Sequence, residues 1–254
     1  MTTNAVLAYN NFYKTGTVSA SSDPAATPKE NAIDDLLYDY WQPTSGTSHQ
    51  LDLDLGGATS VDVFGFYSSD FYSLTGAACK LYQSDDDSTY TLVSTITPAT
   101  IGAKLKLVTA SSHRYWRIQF DTTGAETPKI QHAFIGKSLE MQRGLGAGFA
   151  PMALGSENVP INSETDTGIF IGRSNKKRAI PATLNFSNLT PAWMRTHWPT
   201  ILSALESSPF MVLPSPDTYP NEAAFCWTSG IIQTPPYSKD NLLGVSIPIK
   251  ARIT

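Results

Sequence analysis

A period of two runs through the first half of this chain. His49-Gln50-Leu51-Asp52-Leu53-Asp54-Leu55 alternates apolar and polar residues, so Leu51, Leu53 and Leu55 share one face, and Gly56-Gly57 ends the run. Val61 to Tyr67, Cys79 to Gln83, Tyr90 to Val93 and Arg114 to Phe120 follow at short intervals, with turn residues such as Ser84-Asp85-Asp86-Asp87-Ser88 between them. Successive side chains of a strand point to opposite faces, so runs like these predict half-buried antiparallel strands. Many short strands joined by turns fold into a sandwich or jelly roll. A charged content of 16%, with 17 Gly and 17 Pro, fits that architecture better than long charged helices.

The length of 254 residues allows one or two cores. Residues 1–136 hold 14 Asp/Glu against 8 Lys/Arg, a balance of −6, and residues 137–254 hold 8 against 10, a balance of +2. This shift, with a change of composition near Gly136-Lys137, predicts two domains, 1–136 and 137–254. Neither half is basic enough to bind nucleic acid by counterion release. Cys79 and Cys226 each sit in an apolar strand-like run and read as small core residues rather than a disulfide or metal pair. The first residues, Met1-Thr2-Thr3-Asn4, carry no signal-peptide pattern, and no apolar run reaches the ~20 residues of a membrane span. The expectation is a protein made in a cytoplasm, without membrane insertion.

The order of motifs in residues 1–136 resembles the discoidin, or coagulation-factor type C, family of galactose-binding-like domains. Glu30 to Trp41 (ENAIDDLLYDYW), QLDLDLGG, LYQSDDDSTYTLV and RYWRIQF occur in family order over about 100 residues. The resemblance implies an eight-stranded jelly roll with loops at one end that bind sugars, lipid head groups or protein partners, and it places Trp41 inward. The candidate loops are 34–48 and 67–77, with Tyr38, Tyr40, Asp70, Phe71 and Tyr72 as candidate ligand-binding residues. Aromatic rings beside short polar groups suit sugars, because a ring covers the C–H face and polar groups take the hydroxyls. Phe71 and Tyr72 either line such a surface or plug the bottom of the sandwich. Asp34, Asp35 and Asp39 carry oxygens that a hard cation takes, but their spacing matches no EF-hand, and a capped turn is the expectation, with no metal site.

In residues 137–254, the Gly-rich stretch 143–148 and the polar segment 150–166 lack periodicity and read as a loop that could serve as an interaction arm. Gly168 to Gly172 and Ala179 to Phe186 read as two strands around a basic hairpin tip, Ser174 to Arg178, which could grip an acidic partner but is expected to be a solvated tip. Thr190 and Pro191 start a helix of about 191–206, with Met194, Trp198, Ile201, Leu202 and Leu205 on one face and a kink or split expected at Pro199. Phe210 to Leu213, Ala224 to Trp227 and Leu243 to Ile253 read as strands, and Pro248 puts the last at an edge or takes an outward-facing position without a ladder bond. The strand–helix–strand order is similar to the tail-tube and distal-tail fold of bacteriophage tails. That resemblance implies a β-sandwich or barrel with one flanking helix, pairing side by side into a ring, six-fold or, at a tip, three-fold.

The fold class expected is therefore all-β: an N-terminal jelly roll followed by a tail-tube-like sandwich or barrel with one helix. The four histidines lie in separate segments without a metal-type pair, and no G-x-S-x-G elbow occurs. No cofactor is implied, and an enzyme is not expected. The functional expectation is a virion structural protein of a phage tail tip or baseplate. It would assemble with itself and other tail proteins, and its jelly roll would display a binding surface for a host glycan or partner. Arg143, Leu145, Phe149, Lys176, Lys177 and Arg178 are the candidate assembly arm and edges. A free lectin-like carbohydrate-binding protein is the alternative.

Overall fold

A computed structural model describes residues 4–146, 148–155, 157–238 and 240–253. Thirteen strands and one α-helix make up its regular structure, apart from short 3-10 turns. In the first half these are β1 (Val6–Asn11), β2 (Thr17–Ala20), β3 (Gly46–Ser68), β4 (Ala78–Ser84), β5 (Thr91–Ile96), β6 (Gly102–Glu126) and β7 (Ile130–Glu140). The second half contains β8 (Asn158–Glu164), β9 (Phe170–Lys177), β10 (Ile180–Leu189), α1 (Pro191–Ser207), β11 (Phe210–Leu213), β12 (Ala224–Thr228) and β13 (Leu243–Arg252). The chain is all-β with one helix, as its period-two runs predicted.

Two very long strands build the jelly roll. β3 pairs antiparallel with β6 along most of its length, and the register shifts between Asp54 and Thr59, where Gly56 takes a φ of 70°. That left-handed turn suits glycine and lets both strands bend from one layer into the other. Before the bend, β3 pairs with β2; after it, with β7. Leu51, Leu53, Phe64, Phe66, Cys79, Leu81, Trp116, Ile118, Phe120, Ala133 and Ile135 fill the core between the layers. Alternation along each strand selects them.

The second layer continues past the jelly roll. β1 lies between β7 and β11, and the sheet runs on through β12 and β13 to β10. The expected boundary at 136/137 falls within β7, and Ala5 and Leu7 of the N-terminal segment pack into the core of the second half. At the β1–β7 crossing only glycine fits, because a Cβ on Gly136 would lie 1.7 Å from the carbonyl oxygen of Asn10. The opposite face of the same sheet is also apolar. Val63, Leu105 and Phe134 meet Met211, Leu213 and Phe225 in a third cluster, so the sheet rolls and brings β11 and β12 against β6. Both faces of the shared strands are thus buried, and the two halves are packed together through this cluster.

α1 closes the second core with Met194, Trp198, Ile201 and Leu205. Thr190 caps it through Trp193 N–H, and Gln142 fixes that cap by accepting from Thr190 N (2.7 Å) and donating to its hydroxyl (3.0 Å). The helix is continuous, so it is not split at Pro199. Pro199 lies on the exposed side, where water can take the carbonyl that its ring leaves unbonded.

Three further expectations need correction. Residues 158–164, read as part of a loop, form β8, which pairs with β9 in a separate two-stranded sheet. Lys176 and Lys177 accordingly lie within β9, opposite Val159 and Asn158, and not at a hairpin tip; β10 pairs instead with β13. β13 is not an edge, because β10 and β12 flank it. Pro248 is tolerated there because its carbonyl accepts from Ser229 N (3.0 Å) just beyond β12, so its missing donor faces the place where that ladder ends.

Candidate functional site

The loop after Ala32 is shaped by its own acidic residues. Asp34 accepts the N–H of Leu36 (2.9 Å), and Asp35 takes a φ of 70°, which a short acidic side chain tolerates. The reversal turns Leu37 inward against the third cluster and leaves Tyr38 80% exposed. Burial is the main cause that raises the pKa of Asp34. Lys14 forms an ion pair with one oxygen of Asp35, while the other is buried without a partner. Trp41 anchors the end of the loop: it is fully buried against Phe120, and its indole N–H donates to Ser22 O (3.0 Å). The inward orientation implied by the family resemblance is the one observed.

Beside it, the 68–73 turn is tied to the 127–131 segment. Asp70 accepts from Lys129 N (2.9 Å) and Ser68 Oγ (3.3 Å), and Gln131 donates to Ser69 Oγ (2.7 Å) and accepts from Ser69 N (3.0 Å). Desolvation nonetheless leaves the Asp70 carboxyl with a raised pKa. Asp70 is thus a turn-holding group and not a free ligand contact. Phe71 is corrected more strongly. It is fully buried, edge-on to Phe66 (5.6 Å) and Phe120 (5.4 Å), because the one-turn 3-10 helix at 71–73 drives it into the sandwich. Tyr72, one residue on, is exposed, and Tyr40 is half-buried under the ammonium of Lys129 at 5.1 Å.

A cleft of about 640 Å³ opens next to these loops. Asp35, Tyr38, Tyr67 and Gln131 line its jelly-roll side, and Phe225, Trp227, Arg252 and Lys177 line the other. That volume lies in the ~300–1,000 Å³ range of small-ligand sites. Of the sequence-predicted residues, the cleft unites Tyr38 with Lys177; Tyr40, Asp70, Phe71 and Tyr72 do not border it. Burial raises the Tyr67 phenol pKa beside Arg252, whose Nε lies 3.5 Å from Glu157 Oε2. Trp227 and Arg252 were missed because each reads as an ordinary strand residue, and only the rolled sheet carries them to the jelly-roll loops.

The candidate assembly residues divide. Leu145 and Phe149 pack back onto the second core, and Gly146 N donates to Asn185 O (2.7 Å), which corrects their assignment to a projecting arm. Arg143, Lys176, Lys177 and Arg178 are exposed. The element that does project is the β8–β9 hairpin, every described side chain of which is exposed or half-exposed. Val159, Ile161 and Phe170 are 38, 51 and 57% exposed, and Ile169 and Ile171 still more. The cross-strand pairs Val159–Lys176 and Ile161–Ser174 put the β8 apolar residues on one face.

Other chemistry-bearing groups are held apart. His49 bonds backbone carbonyls, His113 pairs with Asp85, His132 is buried, and His197 packs at a tilt against Trp193. Cys79 and Cys226 are free thiols in separate cores, with pKa values raised by burial. Among the described residues, no three His, Cys, Asp or Glu side chains gather as a metal site, and no helix is long and apolar enough to cross a membrane.

No protein-family model matches the chain, and no curated protein does. Part of it is similar to solved structures. A Ruminococcus gnavus GH29 fucosidase in complex with fucose is 24% identical over 52% of this chain and 27% of that one, with a TM-score of 0.46. The chain therefore spans about a quarter of the fucosidase. A chitosan-binding module from a Paenibacillus chitosanase/glucanase is 18% identical over 50% of this chain and 99% of that one, with a TM-score of 0.43. A Clostridium perfringens module in complex with GalNAc-β-1,3-galactose is 13% identical over 48% and 95%, with a TM-score of 0.41.

Proposed function

We propose that the chain is a non-catalytic structural protein of a phage tail tip or baseplate, which assembles into a ring and displays its jelly-roll loops as a carbohydrate- or partner-binding surface. The observation that carries the reading is the β8–β9 hairpin with its exposed Val159, Ile161, Ile169, Phe170 and Ile171. A two-stranded ribbon is marginal in water, and a cluster of exposed apolar side chains marks a surface that a partner covers. In a ring, that partner is the neighbouring copy. β10 ends the sheet, so a neighbour can add a strand along it where the chain does not already bond it, as Gly146 N does to Asn185 O. The basic face of the second half, with Lys176, Lys177 and Arg178, would meet the acidic first half of its neighbour.

Tyr38 and Tyr72 are the exposed rings of the binding surface, and a host surface glycan is the ligand that rings beside hydroxyl and amide groups suit. The reading places the protein on the virion, in contact with other tail proteins.

Light scattering with negative-stain imaging tests it. Closed six-fold or three-fold rings, formed alone or on adding a neighbouring tail protein, are expected. A strict monomer under both conditions overturns the assembly reading and leaves a free carbohydrate-binding protein.

A further inference from the structure

We propose that the cleft between the jelly roll and the second half binds a saccharide that carries a carboxylate, held by both halves of the chain at once. This rests on the carbohydrate-binding reading above and gives it a site and a ligand class.

Two aromatic rings border the same space from opposite sides, Tyr38 from the jelly-roll loop and Trp227 from β12. Two rings on one small cleft suit the apolar face of a sugar ring. Polar groups without protein partners stand beside them. The indole N–H of Trp227 donates to no acceptor among the described residues. One oxygen of Asp35 is buried and accepts no hydrogen bond.

The charges specify the class. Asp35 is the one carboxylate in the described lining, and Lys14 already neutralises it. Arg252 pairs with Glu157 at 3.5 Å and hydrogen-bonds the Tyr67 phenol, and its five N–H groups leave donors over. Lys177 has no ion pair among the described residues. One cation is therefore uncompensated, on the same wall as an arginine with free donors, which is a setting for a carboxylate. The jelly roll alone contains neither Trp227, Arg252 nor Lys177, so the site exists only in the full chain.

The test is an array that pairs neutral oligosaccharides with uronate- and sialate-bearing ones, followed by calorimetry of the strongest binder with the full-length protein and its Lys177→Gln, Trp227→Ala and Tyr72→Ala variants. Lys177 is exposed, so Lys177→Gln reports binding even if Trp227→Ala, which also removes packing on the third cluster, fails to fold. The expected result is preference for the acidic saccharides, with about ten-fold weaker binding or more in Lys177→Gln and Trp227→Ala and a smaller loss in Tyr72→Ala. Equal binding of neutral and acidic saccharides overturns the ligand class. Binding that survives Lys177→Gln and Trp227→Ala but is lost in Tyr72→Ala overturns the cleft and leaves carbohydrate binding at the loops standing. No binding on the array overturns both.

Discussion

His132 of β7 and Phe225 of β12 meet edge to face, with ring centroids 5.0 Å apart, and so join the two halves of the chain through one aromatic contact. Nδ1 of His132 is buried without a partner. Burial first, and the charge of Lys14 second, push the imidazole pKa from 6.5 down to about 3. The folded value lies below the unfolded one, so between those limits the unfolded chain binds a proton that the native protein refuses. The neutral ring's contribution is complete above pH 6.5 and is lost as pH falls towards 3, at up to ~1.4 kcal/mol per pH unit. His132→Phe removes this titration. Urea midpoints measured from pH 7 to pH 4 should fall less steeply in the variant, and parallel profiles would assign the acid sensitivity elsewhere.

The crossing of β1 and β7 offers a second test. A methyl group on Gly136 would overlap Asn10 O at 1.7 Å, and backbone cannot swing aside as a flexible side chain can. Gly136→Ala should cost ~1–3 kcal/mol or more by overpacking. Hydrogen exchange should locate the lost protection in β1 and its neighbours β7 and β11. A variant with wild-type stability would show that the strands are further apart.

Phe71 and Tyr72 adjoin in sequence and should differ sharply in consequence. Phe71→Ala removes a ring packed on Phe66 and Phe120, and ~3–5 kcal/mol of stability is the expected loss. Tyr72→Ala alters a 42% exposed side chain and should stay within ~0.5 kcal/mol. Chemical denaturation measures both, and similar losses would contradict the buried position of Phe71.

For the hairpin, a charge placed at its exposed apolar residues should separate assembly from folding. Ile161→Asp and Phe170→Asp leave the described cores untouched, so thermal unfolding of the monomer should shift little. Ring formation by light scattering should be abolished. Rings that persist in both variants would move the subunit contact to another surface.

Much of the fold was legible because its determinants are local. Alternation at Leu51, Leu53 and Leu55, the cap at Thr190, and the helical spacing of Met194, Trp198, Ile201 and Leu205 each depend on residues a few positions apart. The inward Trp41 came from the order of motifs rather than from its neighbours. The failures share a cause as well. Pro248 in an alternating run signals an edge only when nothing shows that its partner strand stops at Thr228. Leu145 and Phe149 sit in a stretch without periodicity, and only the second core explains why they fold inward.

The sequence by itself determined the faces of the strands that alternation marked, the lone helix and the identity of the turn residues, because period, capping and turn chemistry act within a few residues. Tertiary structure alone decided that β1 joins β7 to β11, that the sheet rolls until Phe225 reaches His132, and that Trp227 and Lys177 stand across a cleft from Tyr38. Those juxtapositions link residues far apart in sequence, and they follow from burying both faces of one continuous sheet, a requirement that no local pattern encodes.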